Sequence, residues 1–283
     1  MIRKIPIAVD NIIIEWIAGI SELKTDIFSG IYLTGSIPLN DFHSGKSDID
    51  FVVLCKELPK GETLLRLNQV HRKIEKKFKE SGLSGCYITH KYLNIQHSQS
   101  AITLCFNQGR MKESVFDMAA VTLYEIKTTA ITLCGIPAQA LPVTISINDV
   151  KRFLFKNINT YWKSWVAEQP SFNSHRLLLI LFPRLTEWIV LGVARQLYTL
   201  RTGTITSKTN AGYYCLEHLP YLYQPIIKEA IEIRKDMRKR LLNVKNAYYV
   251  QPSFKRARAT VACANYIIQL FNKEYNLENE RSA

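Results

Sequence analysis

No Cys-x-x-Cys pair occurs among the six cysteines, Cys55, Cys86, Cys105, Cys134, Cys215 and Cys263. Their scatter among mostly apolar neighbours shows no sign of a zinc site or a disulfide framework. It points to reduced, packed thiols and hence to a cytoplasmic protein. No run of about 18 uninterrupted apolar residues is present, which argues against a membrane span. The basic start Met1-Ile2-Arg3-Lys4-Ile5 leads into apolar residues that Asp10 and Glu15 interrupt, so no signal peptide is expected. Ser/Gly-rich and Pro-rich tracts and fixed-period repeats are missing too, which leaves little room for linkers or a solenoid. Disorder is expected at the ends, above all in the polar tail Asn276 to Ala283.

What is present is a folded composition, 47% hydrophobic and 22% charged over 283 residues, long enough for two compact units. Acidic residues are in deficit, and the formal charge of +13 favours anionic partners such as nucleotides, nucleic acid or acidic proteins. Much of the excess sits in Arg234-Lys235-Asp236-Met237-Arg238-Lys239-Arg240 and Lys255-Arg256-Ala257-Arg258. A solvated helix face and a nucleic-acid patch both fit these clusters, and no Arg/aromatic RNA-binding signature accompanies them.

Ile12, Ile13, Trp16, Ile17 and Ile20 recur at helical spacing between Ile7 and Leu23, so a helix opens the chain. A strand is predicted at Gly30 to Thr34, a loop from Pro38 to Lys46, and a strand buried on both faces at Ile49 to Cys55. A helix from Glu62 to Lys79 follows, then strands at Cys86 to Thr89 and Ala101 to Phe106, a mixed segment from Val115 to Lys127, and a strand at Ala130 to Cys134. After Leu141-Pro142 the pattern becomes helical, over Asn148–Glu168, His175–Arg201, Thr209–His218, Gln224–Arg240 and Ser253–Asn272. The fold class is thus α+β. A small mixed sheet flanked by helices fills residues 1–142, and an α-helical domain fills 143–283.

The sharpest constellation is Tyr32-Leu33-Thr34-Gly35-Ser36, a loop, then Ser47-Asp48-Ile49-Asp50-Phe51. Residues i and i+2 of a strand share a face, so Asp48 and Asp50 present two carboxylates together. Such hard oxygen ligands on a rigid strand suit Mg²⁺, which keeps positions open for water and phosphate. Gly35 lets backbone approach a phosphate closely, and the Ser36 hydroxyl can donate to one. The set fits attack of a hydroxyl on an α-phosphorus with loss of pyrophosphate. No Walker-type Gly-x-x-x-x-Gly-Lys loop competes with it.

Gly35-Ser36 followed by Ser47-Asp48-Ile49-Asp50-Phe51 resembles the polymerase-β-type nucleotidyltransferase superfamily. The run Gly192-Val193-Ala194-Arg195-Gln196-Leu197-Tyr198 through Thr206-Ser207-Lys208-Thr209-Asn210-Ala211-Gly212, continued at Leu216–Pro220 and Tyr223–Ala230, is similar to the C-terminal domain of streptomycin and spectinomycin adenylyltransferases. That resemblance implies ATP as co-substrate, magnesium, and a small-molecule hydroxyl acceptor of the aminoglycoside kind, with the C-terminal domain contributing contacts to nucleotide and acceptor. It also implies that Arg195 and Lys208 contact the ATP phosphates. Lys208 opens a helical pattern after a Gly-containing turn, where backbone N–H groups and an ammonium can meet an anion together.

The family's general base is an acidic residue on a neighbouring strand, and Leu83-Ser84-Gly85-Cys86-Tyr87-Ile88 contains none. Asp117 and Glu187 are the candidates, Glu187 being preferred because it lies two turns before Arg195 on the same helix. A first-turn glutamate favoured by the helix dipole is the alternative for it. Tyr161, Trp162 and Trp165 suit either a sugar-stacking surface or a core. His43 and His97 suit either a phosphate contact or, more simply, solvent-exposed loop positions, and Glu168, Glu187 and Glu217 read as local acidity for a cationic acceptor. Two other readings stay open: an RNA or protein acceptor, which the basic clusters favour, and a non-catalytic nucleotide-binding protein. Oligomeric state has no sequence signal.

Overall fold

The structure is a computed structural model that describes residues 5–78, 82–98, 102–107, 109–115, 118–166, 182–242 and 253–280. The chain divides into two compact units, Met1–Val150 and Lys151–Ala283. The first holds a sheet of strands β1 (Phe28–Leu33), β2 (Ile49–Cys55), β3 (Leu83–Thr89), β4 (Ile102–Asn107), β5 (Arg110–Val115) and β6 (Ile131–Gly135). Their order is β5-β4-β3-β2-β1-β6, with β2 and β3 parallel and the other neighbours antiparallel.

Helices α1 (Ile7–Ser21) and α2 (Gly61–Lys77) cover one face. Ile12, Ile13, Trp16 and Ile20 from α1 and Leu67 and Ile74 from α2 meet Ile49, Phe51, Val53 and Cys55 of β2 in one buried cluster. The alternate residues Val52 and Leu54 are buried as well, at 1% exposure each, so β2 is enclosed on both sides. That fits its unbroken apolar run. In the same core His71 bonds the Tyr87 hydroxyl at 2.7 Å and stacks on Phe106 with centroids 3.9 Å apart. Helix α3 (Ala119–Thr128) precedes β6.

Helix α4 (Ile147–Asn157) runs on through a π-helical turn, Ile158–Trp162, to Val166. The second unit is built on α5 (Pro183–Thr202), against which α6 (Lys208–His218), α7 (Gln224–Leu242) and α8 (Phe254–Glu280) pack. Pro183 opens α5 and Gly203, at φ 68°, ends it in the left-handed region. Gly192 on α5 admits the Trp162 indole, whose nearest carbon would lie 2.1 Å from a Cβ there. No helix of the described residues is long and apolar enough to cross a membrane.

The expected elements differ from this in two places. Strand β5 occupies Arg110–Val115, where no element is expected, and ends where the segment expected to be mixed begins. The tail expected to be disordered continues α8 to Glu280, with Tyr275 stacked on Phe155 at 4.4 Å and Glu278 ion-paired to Lys151. The six cysteines are free thiols; Cys55, Cys86, Cys215 and Cys263 are buried, Cys105 is half-buried and Cys134 exposed.

Candidate active site

The Gly35-Ser36 turn and the acidic pair meet at one end of the β1/β2 hairpin. Leu33 pairs with Phe51, and the Thr34 amide donates to the Asp50 carbonyl at 3.0 Å. Ile49, Phe51 and Val53 turn toward the helices, so strand alternation sends Asp50 to the opposite face, and Asp48 is exposed two residues earlier. Gly35 has φ 66°, and a Cβ there would sit 2.1 Å from Asp50 Oδ2. The carboxylate therefore occupies the space a side chain would fill, and only glycine satisfies both the left-handed backbone and that approach. The Ser36 Oγ is buried with no hydrogen-bond partner in the structure. An orphaned buried hydroxyl beside two carboxylates is what a phosphate and its magnesium ion would satisfy. Among the described residues no group of three His, Cys, Asp or Glu side chains stands ready to hold a metal ion.

The loop between turn and strand is ordered by its own polar groups. Asp41, buried, accepts from His43 at 3.0 Å, the Asp41 amide donates to the Ser36 carbonyl at 2.9 Å, and Ser47 Oγ accepts from the His43 amide at 3.1 Å. His43, read from sequence as a solvated loop residue, is thus a loop brace.

The register of β3 explains the missing base. Ser84 lies beside Asp50 and Cys86 beside Val52. The position next to the acidic pair is therefore a hydroxyl, and the Cys86 thiol is pushed well up by burial and is no proton acceptor. Two carboxylates not foreseen lie close by. Glu125 on α3, only 6% exposed, accepts from the Gly35 amide at 3.4 Å. Glu75 on α2 has its carboxyl raised by burial and further by the charge of Asp48, and its Oε1 is buried without a partner. Glu125 left a trace in the sequence as a lone acid among Leu123, Tyr124 and Ile126. Glu75 left none, because its helix carries charge along its whole outer face.

In the second unit the residues predicted from α5 and α6 converge. Lys208 Nζ and Arg234 Nη1 donate to the same oxygen of Glu187, at 3.2 and 3.1 Å, with side-chain exposures of 21%, 6% and 13% respectively. Burial lowers the affinity of Lys208 for its proton; Glu187 opposes this, and the charges of Arg195 and Arg234 add to it. Two cations thus meet one carboxylate oxygen beside the start of α6, the charge of Arg195 is felt at Lys208, and Ser207 caps that helix by accepting from the Asn210 amide. A helix N-terminus with cations beside it suits a negative charge. Arg234 belongs to a run read as a solvated face or a nucleic-acid patch; it is a buried ion-pair residue, as is Arg256, which bonds Glu229 at 3.1 Å. The side chains of residues 236–240 lie outside the described residues.

Tyr161, Trp162 and Trp165 gather round Trp188, at centroid distances of 5.8, 4.8 and 5.0 Å. Trp162 is core, whereas Tyr161 is 45% exposed. Glu217 is exposed. Asp117, Glu168 and the His97 side chain lie outside the described residues.

Residues 20–99 match the family model of the nucleotidyltransferase domain, and residues 159–251 match that of the aminoglycoside adenylyltransferase C-terminal domain. The chain is accordingly an enzyme of the nucleotidyltransferase class that resembles the aminoglycoside adenylyltransferases. Among solved structures, spectinomycin adenyltransferase AAD(9) from Enterococcus faecialis, determined with ATP and spectinomycin, is similar in fold. Its TM-score is 0.59 at 15% identity, over 93% of this chain and 99% of that one. No curated protein gives a significant match.

Proposed function

We propose that the chain transfers AMP from ATP to a hydroxyl of an aminoglycoside-like small molecule, releasing pyrophosphate in a magnesium-dependent reaction. The observation that carries this reading is the match of residues 159–251, which span Glu187, Arg195, Lys208 and Arg234, to the aminoglycoside adenylyltransferase C-terminal domain. The AAD(9) structure, with its bound ATP and spectinomycin, adds support.

Asp48 and Asp50 would hold the magnesium ion, which when bound neutralises phosphate charge and orients the α-phosphate. Ser36 Oγ donates to a phosphate oxygen, and Gly35 keeps the backbone close enough for that bond. Arg195 and Lys208 balance the charge of the departing pyrophosphate, with the α6 N-terminus assisting. The acceptor hydroxyl oxygen forms a bond to the α-phosphorus as the bond to the bridging oxygen breaks, pyrophosphate carries the electron pair away, and the hydroxyl proton passes to solvent water. A charge of +13 favours a second reading in which the acceptor is RNA or protein. Pyrophosphate release from ATP across an aminoglycoside panel, with Asp48→Ala as control, tests the first. Acceptor-dependent release that the control lacks is expected; release that depends only on RNA or protein would replace it with the second.

Glu187 holds Lys208 and Arg234 in place in this scheme and is a positioning residue, since one of its oxygens already serves two cations. Glu187→Gln is therefore expected to change KM for ATP while kcat stays within roughly tenfold and its pH profile keeps its shape. A general base would instead lose on the order of 10²–10⁴-fold in kcat, together with the limb of the profile that it governs. Steady-state kinetics between pH 6 and 9, on the order of one point per half unit, separates the two roles.

A further inference from the structure

Two of the six thiols meet across the sheet. Strands β3 and β4 are antiparallel, and their register sets Cys86 directly opposite Cys105. Leu83 and Tyr87 of β3 and Leu104 and Phe106 of β4 belong to the core cluster that α1 and α2 cover, so strand alternation turns both cysteines to the other face of the sheet. Directly opposed residues of an antiparallel pair have Cα atoms roughly 4.5 or 5.5 Å apart, and a disulfide spans about 4.4–6.8 Å. The register therefore places the two thiols within bridging range without a shift of either strand.

The surroundings give the two sulfurs different parts. Cys105 is half-buried, with the Thr103 hydroxyl 3.4 Å from its Sγ, and is the thiol that a soluble reagent meets first. Cys86 is only 6% exposed, and burial pushes its thiol pKa well up, with Cys105 and then Cys55 adding to the shift. A thiol held protonated and enclosed is a poor target from solution and reacts instead with a sulfur already placed beside it. Neither of the other two cysteines of this unit competes for it. Cys55 belongs to the helix-covered core, and Cys134 is on β6, which β2 and β1 separate from β3.

We infer that Cys86 and Cys105 form a reversible disulfide site on the strands beside the acidic pair, with a small soluble disulfide such as oxidised glutathione as the oxidant. The Cys105 sulfur attacks one sulfur of oxidised glutathione, the S–S bond of that molecule breaks, and one glutathione leaves as the thiol with the Cys105 proton. The Cys86 sulfur then attacks Cys105 Sγ, the bond from Cys105 to glutathione breaks, and the second glutathione departs with the electron pair and the Cys86 proton. Two protein thiols are oxidised and one glutathione disulfide is reduced. The bridge ties β3 to β4 on the face that carries Asp50, with Cys86 two residues along from Ser84, the neighbour of Asp50. Its formation needs neither nucleotide nor acceptor.

The test equilibrates the full-length protein with reduced and oxidised glutathione, quenches it with acid and digests it with trypsin for mass spectrometry. Cleavage after Lys79, Lys91 and Arg110 puts Cys86 in the peptide Glu80–Lys91 and Cys105 in Tyr92–Arg110. These two peptides are expected joined, and dithiothreitol should separate them. Cys86→Ala should leave Cys105 carrying glutathione, Cys105→Ser should leave Cys86 a free thiol, and Cys134→Ser should keep the joined pair at the parental level. The folded register should favour the bridge at least roughly tenfold over the chain in urea, read as the value of [GSH]²/[GSSG] at half-conversion. Cys105 that stops at the glutathione adduct in the folded parent, joining of either peptide chiefly to that of Cys134, or a half-conversion value within tenfold of that in urea would overturn the assignment.

Discussion

Asp50→Asn is expected to leave a folded protein with adenylyl transfer reduced about 10³-fold or more, the loss of several kcal/mol of charge stabilisation in the transition state. The substitution keeps the shape of the side chain, so the close approach to Gly35, where a Cβ would sit 2.1 Å from Asp50 Oδ2, is preserved. What is lost, on the proposed scheme, is one of the two carboxylates that would hold magnesium. A neutral amide oxygen binds magnesium more weakly, and the phosphate then lacks the charge that would hold it over the Ser36 hydroxyl. Thermal unfolding distinguishes this from misfolding. The variant should melt close to the parent without ligand, yet lose the upward shift in Tm that magnesium and ATP together give the parent. Retention of parental turnover at saturating magnesium would remove Asp50 from the site.

The second large effect concerns stability in acid. His71 is 0% exposed, enclosed by Phe51, Phe106 and Tyr87, and burial lowers its pKa from 6.5 to about 3. In the unfolded chain the imidazole takes a proton near pH 6.5, whereas in the folded chain it stays neutral until about pH 3. Across that window the unfolded state binds more protons, so stability rises with pH. The contribution is fully present above pH 6.5 and is lost progressively as the pH falls toward 3, to an extent on the order of 4 kcal/mol. Urea unfolding followed by tryptophan fluorescence should show the midpoint falling from pH 7 to pH 5. His71→Phe, which keeps an aromatic ring against Phe106, should flatten that dependence although it gives up the 2.7 Å bond to Tyr87. An equally steep loss in the variant would assign the acid sensitivity to other groups.

Charge illustrates the limit of reading clusters in one dimension. Arg234 and Arg256 stand in runs that look like solvated faces or nucleic-acid patches, yet each is buried against a glutamate, Glu187 and Glu229. Helical periodicity brings every third or fourth residue inward whatever its charge. A buried guanidinium is tolerated once a carboxylate on another helix meets it. The partner is 47 residues away for Arg234 and 27 for Arg256, and local sequence holds no record of it.

Elements with strong internal periodicity were legible. Helix α1 is set by the spacing of Ile12, Ile13, Trp16 and Ile20, and β2 by the run Phe51-Val52-Val53-Leu54, because burial of one stripe or of both faces writes itself into neighbouring residues. Strand β5, Arg-Met-Lys-Glu-Ser-Val, was not legible, since it is an edge strand whose residues stay largely in solvent and carry no alternation. The end of α8 looked disordered because Asn276 to Glu280 is polar. It is helical because Tyr275 stacks on Phe155 and Glu278 meets Lys151, contacts made over more than a hundred residues of sequence.

The candidate site divides along the same line. Gly35, Ser36, Asp48 and Asp50 announce themselves because a turn and the following strand place them within one hairpin, so spacing alone is enough to propose their chemistry. Strand pairing alone shows that the position beside Asp50 is Ser84, and helix packing brings the Glu75 and Glu125 carboxylates to that end of the sheet. The same holds for Glu187, which sequence placed near Arg195 as a base and which the packing of α5, α6 and α7 ties to Lys208 and Arg234. Proton affinity and charge pairing depend on distances across elements and on the water removed between them. Those quantities arise only when the chain has folded, whereas the kind of reaction was already written in a Gly-Ser turn and two aspartates.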